Sequence, residues 1–256
     1  MILALDAGNT NITVGCIEEG EIANVFRIST NSARTADEYT IQINNMLSFS
    51  DINRESIRGA VISCVVPPLT GALAGAVKQL AGINAVVVGA GIKTGLNILI
   101  DDPAQLGADM VAVAVGALGT YSPPTIIVDM GTATKMIALD RNGSFLGGAI
   151  LPGVALSMNA LATSTSLLPR VPLEAPAKAI SANTIDCIKS GVVLSAASAI
   201  DGMAERFEAE LGEPAQIVAT GGLSGAVYRH CKSNIIHDPN LILRGLGIIY
   251  EKNKKK

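Results

Sequence analysis

Two short stretches carry an acid, a glycine and hydroxyl or amide residues in the same order. One is Asp6-Ala7-Gly8-Asn9-Thr10, and the other is Asp129-Met130-Gly131-Thr132. Each follows an apolar run, residues 2–5 and 125–128, so each acid is expected to project from the end of a buried strand. A carboxylate beside a polyphosphate repels it unless a divalent cation lies between them; with Mg²⁺ bridging through water, Asp6 becomes useful. Gly8 lets the backbone come close to phosphate oxygens, and backbone N–H groups together with the Asn9, Thr10 and Asn11 side chains can donate to them. Taken alone, the first stretch reads equally well as a plain turn, because Asp, Gly and Asn are turn formers. Its recurrence in the second half favours an anion cradle. There Thr132 can donate its hydroxyl to a phosphate and Asp129 can hold a cation. Lys135 adds positive charge unless strand alternation turns it to solvent.

Phosphoryl transfer to an alcohol also needs a base near the acceptor hydroxyl. The two histidines, His230 and His237, fall in a loop-like stretch near the C-terminus and are expected at the surface. Asp109, in Gly107-Ala108-Asp109-Met110, stands just ahead of the apolar residues 111–115 and is the better candidate. The alternative is a helix-start acid favoured only by the helix dipole. Thr220-Gly221-Gly222 follows the strand-like residues 216–219. Its glycines either let a flat group such as adenine lie against the backbone or simply form a strand-to-helix turn. Other nucleotide motifs are excluded. No Gly-x4-Gly-Lys-Ser/Thr occurs, and in Gly89-Ala90-Gly91-Ile92-Lys93-Thr94-Gly95 the third glycine comes one residue late for a dinucleotide fingerprint. That stretch is expected to be a loop.

The elements that must position these residues repeat. Residues 2–5, 12–17 and 22–28 read as strands, with a turn at Glu19-Gly20. Thr35-Ala36-Asp37-Glu38 opens a helix reaching about Leu47. A strand over 60–66 stops at Pro67-Pro68; a helix over 69–81 and a strand over 85–88 follow, and Asp102-Pro103 leads into a helix ending near Leu118. The pattern then restarts with strands at 125–128, 136–139 and 145–150. A long helix over 183–211, a strand at 216–219 and a helix over 241–250 complete the chain. The repeated order of strand, Asp-x-Gly, hydroxyl residue, strand, turn and strand implies two similar α/β lobes, residues 1–118 and 119–256, with a nucleotide cleft between them. The first lobe carries one phosphate loop; the second carries the other phosphate loop and the candidate adenosine motif.

The chain has 256 residues, 49% of them hydrophobic, a formal net charge of -3 and a pI near 5.4, a balance that argues against nucleic acid as a partner. Lys252 to Lys256 reads as a solvated tail. The four cysteines stand singly, without metal-ligand or redox spacing, so a reducing, cytoplasmic setting is expected. The apolar run Met1 to Leu5 is too short for a signal peptide's apolar region and is followed at once by Asp6. Residues 142–169 lack charge, but Gly147, Gly148, Pro152, Gly153 and Asn159 break any membrane-spanning helix, and a strand, turn and helix are expected instead.

The motif set resembles the type III pantothenate kinase family along essentially the whole chain. The matching pieces are Asp6-Ala7-Gly8-Asn9-Thr10, Gly107-Ala108-Asp109, Val128-Asp129-Met130-Gly131-Thr132-Ala133-Thr134, Gly147-Gly148-Ala149-Ile150-Leu151-Pro152-Gly153, Leu168-Pro169-Arg170-Val171, Asn183-Thr184 and Thr220-Gly221-Gly222. The resemblance implies the duplicated actin-like and sugar-kinase (ribonuclease H-like) α/β fold. It implies ATP-dependent phosphorylation of pantothenate, the first step of coenzyme A synthesis, by a homodimer. It places ATP on the Asp6 loop, on Thr132 and on Gly221-Gly222, and K⁺ or NH₄⁺ on Asp129. It makes Asp109 the base, and sets pantothenate against Gly107, Ala108, Asp109, Met110 and Thr184, in part from the partner subunit. The chain departs from the family where Met110 replaces a frequent Arg, where Ile100 replaces an aromatic residue, and at Ser181-Ala182, where the family usually has Gly and a basic residue. All three changes fall at the acceptor side. Two alternatives remain beside this reading: a non-catalytic or regulatory member of the same fold, and a kinase of another small alcohol.

Overall fold

The computed structural model describes residues 1–254; Lys255 and Lys256, the end of the expected lysine tail, lie outside the described residues. The chain forms two compact units, each built on a five-stranded sheet.

In the first unit β1 (Ile2–Ala7), β2 (Asn11–Glu18) and β3 (Glu21–Ser29) form an antiparallel meander, and β4 (Gly59–Cys64) and β5 (Val86–Val87) add in parallel on the other side of β1. The sheet order is β3-β2-β1-β4-β5. β1 and β4 are nearly continuous apolar runs because helices cover both faces. One face packs against α1 (Ala36–Phe49) and α2 (Pro67–Ala81) through Tyr39, Ile43, Leu47, Leu69, Leu73 and Val77. The start of α1 is fixed locally. Thr35 accepts from the Glu38 N–H while the Glu38 carboxylate accepts from the Thr35 N–H, a reciprocal capping box. Pro67 and Pro68 stop the strand and also open α2, two residues earlier than expected, because the first turn of a helix has no use for their missing N–H groups.

The other face packs against α3 (Ala108–Thr120) and α6 (Leu241–Asn253) through Val111, Ala112, Val115, Leu243, Leu246 and Ile249. The two helices cross at glycines. A Cβ on Gly116 would meet the Leu241 carbonyl oxygen at 2.3 Å, and one on Gly245 would meet the Ala112 carbonyl oxygen at 1.8 Å. This crossing revises the expected division at 118/119. Residues 240–254 belong to the first unit, because the apolar stripe of α6 is buried against α3 and the sheet. Asn97–Ile100 goes with the second unit, where the Phe145 N–H donates to the Asn97 carbonyl and the Leu99 N–H to the Phe145 carbonyl.

The second unit repeats the first. β6 (Thr125–Met130), β7 (Ala133–Leu139) and β8 (Phe145–Pro152) form the meander, and β9 (Gln216–Thr220) and β10 (Ile235–His237) add in parallel, in the order β10-β9-β6-β7-β8. Read outward from the central hairpin, the two orders are the same. α4 (Val154–Ser164) and α5 (Thr184–Leu211) pack on this sheet. The uncharged stretch is thus β8 and α4, as expected. α5 is the one helix among the described residues long and apolar enough to cross a membrane by length and composition; its Ile188, Val192, Ala197 and Ile200 are buried in the core of the second unit. Residues 89–95 form a loop with no helix after it. His237, expected in a surface loop, lies on β10, stacks on Tyr228 with ring centroids 4.3 Å apart, and is within 2.9 Å of the Ser224 hydroxyl.

Candidate active site

In the first unit the residues after β1 make a tight turn in which the Gly8 N–H donates to the Asn11 carbonyl at 3.0 Å. Thr30, at the end of β3, braces it from outside: its hydroxyl donates to the Gly8 carbonyl at 2.7 Å and its N–H to the Thr10 carbonyl at 2.9 Å. With those carbonyls turned into the structure, Asn9, Thr10 and Asn11 stand exposed at the tip. Asp6 is partly buried at the end of β1. In parallel register beside it is Ser63 of β4, a residue that sequence reasoning missed. Ser63 is fully buried, and its hydroxyl has no hydrogen-bond partner among the described residues. A lone serine within the apolar residues 60–66 was the only signal. A carboxylate with a buried, unsatisfied hydroxyl in register beside it suits a hydrated Mg²⁺, whose water shell seeks such partners. Among the described residues no group of three or more His, Cys, Asp or Glu is set to hold a metal directly.

Asp109 lies at the same end of this sheet. It sits in the first turn of α3, and Gly107 beside it approaches Val65, whose N–H continues the ladder to the Ala7 carbonyl. The carboxylate folds back over Gly107: a Cβ there would meet Asp109 Oδ1 at 2.5 Å. Oδ1 also accepts the Met110 N–H at 2.8 Å, which fixes its orientation. The first unit therefore brings Asp6, the exposed turn and Gly107 to Met110 to one end of the sheet.

The second unit assembles its own set. The turn after β6 is one residue shorter than its counterpart: only Gly131 and Thr132 separate the strands, and the Gly131 N–H donates to the Ala133 carbonyl at 3.1 Å. Gly153 packs beneath it, since a Cβ there would stand 2.2 Å from the Thr132 carbonyl oxygen. Gly221 has a φ of +92°, and a Cβ on it would meet the Met130 carbonyl oxygen at 2.6 Å and Asp129 Oδ1 at 2.7 Å. The Leu223 N–H closes this loop onto the Met130 carbonyl at 3.1 Å. Asp129, Thr132, Gly221 and Gly222 thus share one end of the second sheet. Thr184 is exposed at the start of α5, behind Asn183, whose side chain accepts the Asp186 N–H.

Alternation does not send Lys135 to solvent. Lys135 is directly opposite Asp129 on β7, and its Nζ lies 2.8 Å from Asp129 Oδ2, with the two side chains only 17% and 14% exposed. The ammonium already supplies the positive charge that a K⁺ or NH₄⁺ ion on Asp129 was expected to bring. A resident monovalent cation on this carboxylate does not fit the arrangement.

A family profile for type III pantothenate kinase matches residues 2–206. A type III pantothenate kinase of Bifidobacterium animalis subsp. lactis is 39% identical over 253 residues, covering 99% of this chain and all of that protein. The chain belongs to the type III pantothenate kinase family. Like the family, it is an enzyme, an ATP-dependent kinase. Two solved structures share the fold. A Campylobacter jejuni protein described as a Baf-family transcriptional activator superposes with a TM-score of 0.60 at 20% identity, covering 98% of each chain. A Sinorhizobium meliloti protein described as a 2-dehydro-3-deoxygalactonokinase gives 0.57 at 13% identity, covering 100% of this chain and 98% of its own. The chain thus shares its two-unit α/β fold with these two structures.

Proposed function

We propose that this kinase transfers the γ-phosphoryl group of ATP to the primary hydroxyl of pantothenate, giving 4′-phosphopantothenate, with Asp109 as the base. The observation that carries the reading is the convergence of Asp6, the exposed Asn9-Thr10-Asn11 turn and Asp109 at one end of the first sheet. ATP phosphates are assigned to Asp6, Gly8, Asn9, Thr10, Asn11 and Thr132, and the adenosine to Gly221 and Gly222. When bound, Mg²⁺, held through water by Asp6, neutralises charge on the phosphate oxygens. Asp109 takes the hydroxyl proton as the acceptor oxygen bonds to the γ-phosphorus and the bond to the β–γ bridging oxygen breaks. Fixing Asp109 Oδ1 on the Met110 N–H holds the carboxylate in one orientation for that transfer. Gly107, Ala108, Met110 and Thr184 are assigned to pantothenate, the last from the partner in a homodimer. ATP and pantothenate complete the partners proposed, with neither nucleic acid nor membrane, in a cytoplasmic setting.

The test incubates the protein with ATP, Mg²⁺ and pantothenate and reads phosphopantothenate by mass. Asp109→Asn is expected to lower turnover by about 10²-fold or more, in the range of general-base losses, with ATP binding intact. Near-normal turnover by the variant removes Asp109 as the base. Product with another alcohol and none with pantothenate overturns the acceptor.

A further inference from the structure

We propose that Lys135 is the built-in counter-ion of the second phosphate hairpin, so that nucleotide binding and turnover need no dissolved monovalent cation. The inference deepens the kinase reading and rests on it, since it concerns how the same site accepts a polyphosphate.

The two hairpins present the same problem and solve it differently. Each ends a buried strand in an aspartate that points toward a phosphate-binding turn. In the first, the residue paired across the ladder from Asp6 is Thr13, which is neutral. In the second, the residue paired across from Asp129 is Lys135. The charge at Asp129 has to be offset before a triphosphate can approach, because a half-buried carboxylate repels it with little screening from solvent or salt. Lys135 does this from a distance of 2.8 Å on a side chain itself only 17% exposed. On its other side, the Asp129 carboxylate meets the Gly221 backbone: Oδ1 lies 2.7 Å from where a Cβ would stand. One oxygen is thus engaged by the ammonium and the other abuts the glycine loop.

A tethered ammonium also needs no recruitment. A single carboxylate holds a dissolved monovalent ion weakly, whereas a side chain fixed opposite in the same ladder is already ordered by the fold and loses no translational freedom when the pair forms. Lysine suits the place, because its ammonium is a compact point charge with three donors, close in kind to the ion it replaces. Lys135 is therefore a positioning residue: it acts on the nucleotide through Asp129.

The experiment measures the affinity of the full chain for ATP with Mg²⁺ held constant, by calorimetry without acceptor, in choline, sodium, potassium and ammonium chloride at equal ionic strength. Steady-state kinetics with pantothenate run in parallel. The wild-type dissociation constant is expected to stay within about twofold across the four salts. Lys135→Met is expected to bind ATP about tenfold more weakly in choline and to recover in potassium or ammonium, as the vacated place admits an ion. Lys135→Arg keeps the charge and is expected to stay insensitive to the salt. A wild-type affinity that falls about tenfold from potassium to choline overturns the proposal, and this comparison needs no variant. Equal weakening of Lys135→Met in all four salts also overturns it, because that marks a lysine bound directly to phosphate. Failure of the wild type to phosphorylate pantothenate in every salt would sink the acceptor assignment alone, since the binding series is read without acceptor.

Discussion

At the scale of single residues, the site depends on backbone approaches that admit no side chain. Gly221 combines a φ of +92° with contacts that a methyl group would bring to 2.6 Å from the Met130 carbonyl oxygen and 2.7 Å from Asp129 Oδ1. Gly221→Ala must therefore strain its backbone and push on the Asp129 carboxylate, a penalty of about 1–3 kcal/mol. ATP affinity is expected to fall about tenfold, and calorimetry checks it; unchanged affinity in a folded variant would place the nucleotide away from this loop. The two Asp-x-Gly turns were legible in the sequence because their signals are local: an acid at a strand end, a glycine and donors in consecutive positions. The direction of Lys135 was not. The second hairpin turn has two residues where the first has three, and a shift of one residue in a ladder moves a side chain to the other face. Ser63 was invisible for a similar reason, because its partner in register lies on a strand far away in sequence.

At the scale of elements, local signals set the helix starts. The capping box at Thr35 and Glu38 and the Pro67-Pro68 opening of α2 are written in adjacent residues. The α3–α6 crossing is of another kind. It brings Ala112 and Gly116 against Leu241 and Gly245 so closely that backbone meets backbone. Gly245→Ala must separate the helices or distort them, and overpacking of this sort costs about 1–3 kcal/mol. The variant is expected to melt below the wild type, in a thermal or denaturant titration. An unchanged midpoint would mean that the crossing yields without penalty. Since Asp109 lies in the first turn of α3, the same variant should also lower turnover more than its stability loss accounts for.

At the scale of the whole molecule, one strand order serves twice. β3-β2-β1-β4-β5 and its counterpart β8-β7-β6-β9-β10 each present an aspartate at the end of the central strand. The second unit also leaves large apolar side chains in solvent, Leu167 at 90% and Ile180 at 86% exposed, where burial would be favourable. The expected assembly is a homodimer, read as twice the chain mass by light scattering; a monomer at micromolar concentration would remove the partner's Thr184 from the acceptor site. The sequence by itself determined the duplication, the three-strand openings, both Asp-x-Gly turns and the family. These rest on periodicity and on consecutive residues, which one-dimensional order preserves. Only the tertiary structure decided that α6 completes the first unit, that residues 97–100 pair beside β8, and that Lys135 neutralises Asp129. Those outcomes depend on which distant surfaces are complementary and on the phase of a ladder, and neither is encoded in the spacing of neighbouring residues.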